Sequence, residues 1–206
     1  MKRFKHLLIV LPEEIPETTL LQWASVMGRA SEAESIDLLC CEETILQEFP
    51  IVEKSEAPTY TERVEASAKE ILNGLNYQII NRRGSALRET LQCLSSGVYD
   101  LVFTSLHDDE SRSLAERLSR KSPTGVLSIP PEAKVPPSTV ATAIDFSDLS
   151  PLCIDWAEAF ATLNIEITGK PARKEVLHAT DFSVPTRATL TISEGDLKAW
   201  VREGIE

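Results

Sequence analysis

Short uninterrupted apolar runs alternate along this chain with longer stretches in which apolar residues return every three or four positions. A run that is apolar throughout reads as a strand buried on both faces, and the longer period reads as a helix laid across it. Residues 7–11, bounded by charge and by Pro12, predict a central strand. Thr18 or Thr19 then caps a helix carrying Leu20, Trp23, Met27 and Ala30, and residues 36–41 predict a second strand. Residues 42–58, with two prolines and several acids, predict a loop. Thr59 and Glu62 stand at capping-box spacing ahead of a helix with Val64, Ala68, Ile71 and Leu75 as its buried stripe and Asn73-Gly74 at its exit.

Residues 77–80 predict a third strand, and Gly84-Ser85 opens a helix carrying Leu87, Leu91 and Leu94, with Gly97 at its left-handed exit. Residues 101–105 predict a fourth strand. Ser111 or Ser113 starts a short helix through Leu114, Ala115 and Leu118, and residues 125–129 complete a fifth strand. Five strands alternating with four helices predict an α/β fold: a five-stranded parallel open sheet with helices on both faces, Rossmann-like.

A proline-rich stretch follows, with Pro130-Pro131 and Pro136-Pro137, and then the opening pattern returns. Shifted by 133 positions, Leu7 falls on Val140, Leu11 on Ile144, Trp23-Ala24 on Trp156-Ala157, and Pro12 on Asp145. Ser150-Pro151 reads as an N-cap and first helical residue, with Leu152, Trp156, Ala159, Phe160 and Leu163 as the buried face. After a polar segment over 164–174, residues 175–179 repeat the second strand at an offset of 138. Thr191 or Ser193 then predicts the start of a last helix through Leu197, Trp200 and Val201. The expected organisation is a complete domain over 1–133, a linker over 134–139 and a partial second copy over 140–206. Twice the offset is roughly 270 residues, which suggests a piece of a longer tandem protein or a naturally shortened one.

Composition narrows the partners. Thirty-two acidic against 21 basic residues give a net charge of −11, with the basic residues scattered. Nucleic acid and anionic membrane need a concentrated basic face, so both are excluded as expected partners. Arg82-Arg83 reads as a solvated loop pair. The apolar run after Lys2-Arg3 stops too soon for a signal or a membrane span, so a cytoplasmic location is expected. Cys40, Cys41, Cys93 and Cys153 lack metal-ligand spacing and read as small buried residues.

The residues Asp145-Phe146-Ser147-Asp148-Leu149-Ser150, the Gly84-Ser85-Ala86 helix opening, Arg112-Ser113-Leu114-Ala115-Glu116-Arg117-Leu118 and the closing Ser122-Pro123-Thr124-Gly125 resemble, in this order, the universal stress protein family. The resemblance implies a tandem UspA-like chain whose second copy is incomplete. Many members of that family bind ATP, through an acidic residue at the end of the first strand and a glycine-rich phosphate loop after the fourth. In the first copy Pro12 holds the acidic position, and the stretch from Leu106 through His107, Asp108, Asp109, Glu110 and Ser111 to Arg112 and Ser113 has no glycine. The first copy is therefore expected not to bind ATP. Three acids at a helix start complement its dipole, and a His107, Asp108 and Asp109 metal cluster is disfavoured.

In the second copy Asp145, Phe146 and Ser147 stand where a nucleotide site would begin. They read equally well as groups capping a turn and a helix. No cofactor is expected in this chain, and ATP enters only if residues outside it complete the second copy. His178 reads as a strand-end hydrogen-bonding residue, and no catalytic residue and no metal site is expected. The strand edges and apolar faces near Trp156, Phe160 and Trp200 predict self-association, as a homodimer or by pairing of the two copies, with residues 126–129 resembling the edge that dimeric family members use. A non-catalytic stress-response interaction protein with an unidentified protein partner is the expected function. The alternative is an ATP-binding regulator or weak ATPase built on the second copy.

Overall fold

The computed structural model describes residues 4–12, 18–42, 59–95, 97–144 and 150–178. The chain divides into two compact units, one over residues 3–135 and one formed by residues 136–206 with the first two residues.

In the first unit, five parallel strands lie in the order β3-β2-β1-β4-β5. They are β1 (His6–Pro12), β2 (Ser35–Glu42), β3 (Tyr77–Arg83), β4 (Leu101–Ser105) and β5 (Gly125–Ile129). The connecting helices are α1 (Thr18–Ala30), α2 (Tyr60–Ile71), α3 (Ala86–Leu94) and α4 (Asp109–Lys121). Helices α1 and α2 pack together, as do α3 and α4, so the sheet is covered on both faces. That double cover is why residues 7–11 and 101–105 are buried without a break. Alternation splits them between layers: Leu8, Val10, Leu39 and Val102 meet Leu87, Leu94, Leu114 and Leu118 beneath α3 and α4.

Local chemistry fixes the helix ends. The Thr59 hydroxyl accepts from the Glu62 N–H while the Glu62 carboxylate accepts from the Thr59 N–H, the expected capping box. The buried stripe of α2 turns slightly from the expected one, with Tyr60, Val64, Ala68 and the following Leu72 buried while Ile71 and Leu75 are half-buried. Thr19 does not cap α1; its hydroxyl donates to the Pro131 carbonyl, and the Trp23 indole N–H reaches the Ala133 carbonyl at 3.4 Å. Gly97 has φ +74° and its N–H bonds the Leu94 carbonyl, ending α3 in the left-handed turn only glycine enters freely.

Two expectations change here. Strand β3 runs on through Arg82 and Arg83, which pair with Cys41 and Glu42 of β2. They are strand residues and not loop residues, because an edge strand half open to water tolerates charge, and Arg83 lies 3.6 Å from Glu42. Helix α4 begins at Asp109, before either serine, because Asp108 caps it.

The second unit contains β6 (Thr139–Ile144), α5 (Ser150–Thr168) and β7 (Arg173–His178), with the two strands paired in parallel. Its register copies that of β1 and β2: adding 133 to Leu8 and 138 to Asp37 gives Ala141 and Glu175, which are partners. Ile144, Ile154 and Val176 form its small core. The buried face of α5 is rotated from the expected one. Ile154, Ala159, Ala161 and Leu163 are buried, Trp156 and Phe160 are half-buried, and Leu152 is 49% exposed. The helix also runs to Thr168, whose hydroxyl donates to the Asn164 carbonyl, where a polar segment was expected.

Candidate functional site

In an open parallel sheet, ligands sit outside the carboxyl ends of the strands where the strand order reverses. Here the reversal falls between β1 and β4, which pair through Leu7 with Leu101, Leu8 with Val102 and Ile9 with Phe103. The residues delivered to that end are Pro12 from β1 and the segment from Leu106 to Arg112 after β4.

Pro12 offers no N–H, and its carbonyl accepts from the Tyr60 hydroxyl at 3.1 Å. The end of β1 is thus satisfied by a side chain of α2. Opposite it, the start of α4 is satisfied by its own residues. The Asp108 carboxylate accepts from the Ser111 N–H at 2.8 Å, the Ser111 hydroxyl lies 2.9 Å from the Asp108 N–H, and the Arg112 N–H bonds the Asp108 carbonyl. Hydrogen bonds from the Ser111 backbone and side chain hold the Asp108 carboxyl below its usual range, so it is ionised at neutral pH. Asp109 and Glu110 add two more acids to the first turn. His107, Asp108, Asp109 and Glu110 are all exposed. Among the described residues no group of three or more His, Cys, Asp or Glu is placed to hold a metal ion.

Asp145, Phe146 and Ser147 lie outside the described residues, as do Asp148, Trp200 and residues 43–58 of the loop expected over 42–58, whose first residue, Glu42, instead ends β2 in register with Arg83. His178 ends β7, paired with Ile144. Of the four cysteines, Cys40 and Cys41 are buried as expected, but Cys93 is half-buried and Cys153 is exposed. Burial raises the Cys93 thiol pKa, opposed by the charge and hydrogen bond of Arg82. No described helix is long and apolar enough to cross a membrane.

Two features went unread in the sequence. Asp108 and Ser111 have capping-box spacing, with serine where glutamate is usual, and that signal was available. Asp37, only 6% exposed within β2, accepts a 2.6 Å hydrogen bond from the Tyr99 hydroxyl. Burial first, and then the Asp37 hydrogen bond and charge, push the Tyr99 pKa well up, so the phenol stays neutral. The other Asp37 oxygen has no hydrogen-bond partner among the described residues. An acid in a buried strand demands a donor, but 62 positions separate it from this one.

A third feature is a groove of about 470 Å³ on the outer flank of α4, over the end of the sheet at β5. Leu106 and Ala115 give it apolar surface, Ser119 and Ser128 line it with hydroxyls, and Arg112 and Arg120 flank it.

No protein-family model and no curated protein matches this chain. Among solved structures it is similar to a universal stress protein from Archaeoglobus fulgidus, at a TM-score of 0.57 and 16% identity, over 99% of this chain and 75% of that one. It is also similar to a universal stress protein in complex with cAMP, at 0.45 and 13% over 62% of this chain and 98% of that one. The universal stress protein UspA from Lactobacillus plantarum aligns at 0.44 and 13%, over 63% and 99%. The first likeness shows the fold, a five-stranded parallel α/β sheet with helices on both faces. The other two scores are too low to add to it.

Proposed function

We propose that this chain is a universal-stress-protein-like interaction protein that carries out no chemistry itself and whose first unit does not hold ATP. The observation that carries this reading is the start of α4. A triphosphate at a helix N-terminus needs free N–H groups and no competing acid. Here the Asp108 carboxylate already takes the free N–H of Ser111, and Asp109 and Glu110 follow in the same turn. Unit like charges 4 Å apart repel by about 4 kcal/mol at an effective dielectric of 20. With Pro12 in place of an acid at the end of β1, these residues do not suit a nucleotide.

The reading includes a tandem ancestry, supported by the shared register of β1–β2 and β6–β7, and self-association through the second unit. Support for the latter comes from Leu152, Ile165, Ile167 and Leu177, each at least 37% exposed. Titration calorimetry of the 206-residue chain with ATP and magnesium tests the main claim. The expected trace is flat into the millimolar range; micromolar binding defeats the reading.

A further inference from the structure

We propose that Ser85 is a phosphorylation site for a basophilic serine/threonine kinase, and that the phosphate caps α3. This goes beyond the reading of the chain as an interaction protein and gives it a point of control. The residues Arg82-Arg83-Gly84-Ser85-Ala86 place guanidinium groups three and two positions before a serine, with a small apolar residue after it. Kinase specificity rests on such charge patterns around the acceptor, and an extended segment is what a cleft can grip. The chain already holds that shape. Arg82 and Arg83 end strand β3, Gly84 follows with φ +134°, and Ser85 is extended at φ −63° and ψ 126°. Arg82, Arg83 and Ser85 are all exposed. The Ser85 hydroxyl makes no capping bond and bonds no other described group. Ser122, which follows Arg120 and Lys121 directly, is the contrasting case: its hydroxyl donates to the Thr124 carbonyl and accepts from the Thr124 N–H.

The two arginines are loosely held. Arg83 lies 3.6 Å from Glu42 with its side chain 84% exposed, so that pair is weak. Arg82 bonds the Cys93 thiol, a poor acceptor. Both guanidinium groups are thus open to carboxylates on a kinase. In the transfer, the Ser85 Oγ attacks the γ-phosphorus of a magnesium-bound nucleoside triphosphate in the kinase's own site. The new O–P bond forms as the bond to the β,γ-bridging oxygen breaks; the nucleoside diphosphate leaves with that electron pair, and the hydroxyl proton goes to the kinase's carboxylate base. The product carries about −1.5 to −2 charge where α3 begins. Within the helix the N–H groups of Ala86, Leu87 and Arg88 have no acceptor, and Glu89 makes the first bond, to the Ser85 carbonyl. The phosphate oxygens supply those acceptors and meet the helix dipole favourably. Glu89 opposes them: its carboxylate lies 3.4 Å from where a Cβ on Gly84 would stand, and it must swing away. Exposed Arg88, three positions on from Ser85, offsets that repulsion.

The probe is the catalytic subunit of cAMP-dependent protein kinase with magnesium and ATP, acting on the whole 206-residue chain. A single phosphate is expected, placed on Ser85 by tandem mass spectrometry. Ser85→Ala takes none. Arg82→Ala with Arg83→Ala, checked by circular dichroism to fold as wild type, lowers kcat/KM by about tenfold or more. The phosphorylated chain unfolds about 2–4 °C above the unmodified one, and the rise shrinks at about 1 M salt, where charges are screened. A peptide of residues 80–90 is the control for the motif alone. A chain that stays unmodified while the peptide is phosphorylated overturns the proposal, as does a peptide the kinase ignores, phosphate on another residue in place of Ser85, or uptake that survives Ser85→Ala. An unchanged or lowered melting temperature overturns the capping. Omitting the kinase keeps the two readings apart: phosphate taken up without it defeats the proposed function and this proposal together, whereas failure of the full reaction alone leaves the proposed function standing.

Discussion

Strands β1–β2 and β6–β7 share a register and a connecting helix, yet their residues live in different surroundings. β1 is buried along its whole middle, whereas β6 buries only Thr142 and Ile144 and exposes Ala141 and Ala143. Equivalent positions show the contrast directly. Leu39 is 0% exposed and Leu177, 138 positions on, is 45% exposed. Asp37 is buried against Tyr99, while its equivalent Glu175 pairs with Arg173 at 3.0 Å in a partly exposed ion pair. The difference lies in the second cover. In the first unit α3 and α4 close the face that holds Asp37, Leu39 and Cys41; among the described residues of the second unit α5 covers one face alone. A strand's burial is thus decided by elements that come later in the chain, and its composition follows.

The contrast can be strained at four points. Leu39→Ala empties part of a closed core and is expected to cost about 2–5 kcal/mol in urea unfolding. Tyr99→Phe leaves both Asp37 oxygens without a described donor and is expected to cost about 1–3 kcal/mol. Because the Tyr99 pKa is raised on folding, its contribution is full below the ordinary tyrosine value of about 10 and fades as pH climbs toward the higher folded value. Wild type and Tyr99→Phe should therefore converge in strong alkali, as unfolding followed against pH would record.

Asp108→Ala loosens the helix that closes the second face and should cost about 1 kcal/mol at pH 7. Its folded pKa is depressed, so this contribution is present above the ordinary carboxylate range and disappears as pH falls below about 4. A gap between wild type and variant that persists at pH 2 contradicts that assignment. Smallest of all, Leu177→Ala should stay within about 0.5 kcal/mol of wild type. A loss as large as that of Leu39→Ala would mean that something covers the bare face of β6–β7, and the comparison would fail.

The sequence was most informative where burial is symmetric. Strand β4 is legible to the residue, because a run enclosed on both faces has sharp ends, and β5, a half-buried edge strand, is legible because Pro130 closes its apolar run. β3 was read short because its last residues are charged and sit at an edge, where pairing leaves no trace in the apolar period. The stripe of α5 was misplaced for a related reason. Among the described residues it has a two-stranded sheet to cover, and apolar residues such as Leu152 and Ile165 are exposed. At the candidate site the absence of glycine and the acids after β4 were plain in the sequence. The Tyr60 bond to Pro12 and the Asp37–Tyr99 pair join positions 48 and 62 residues apart, and no local pattern announces them.

The placement of β1 at the centre of its sheet also sets an order of events during synthesis. Leu7 pairs on one side with Ile36, 29 residues later, and on the other with Leu101, 94 residues later. A nascent chain therefore completes β1–α1–β2 early and then holds an apolar, unpaired edge until β4 begins at Leu101, well after β2 ends at Glu42. Closing so distant a pairing is slow, and an exposed strand edge is where chains stick to one another. The step most vulnerable to aggregation is thus the wait for β4, and crowding or slowed translation between residues 42 and 101 should lower the yield of soluble protein more than a delay anywhere later.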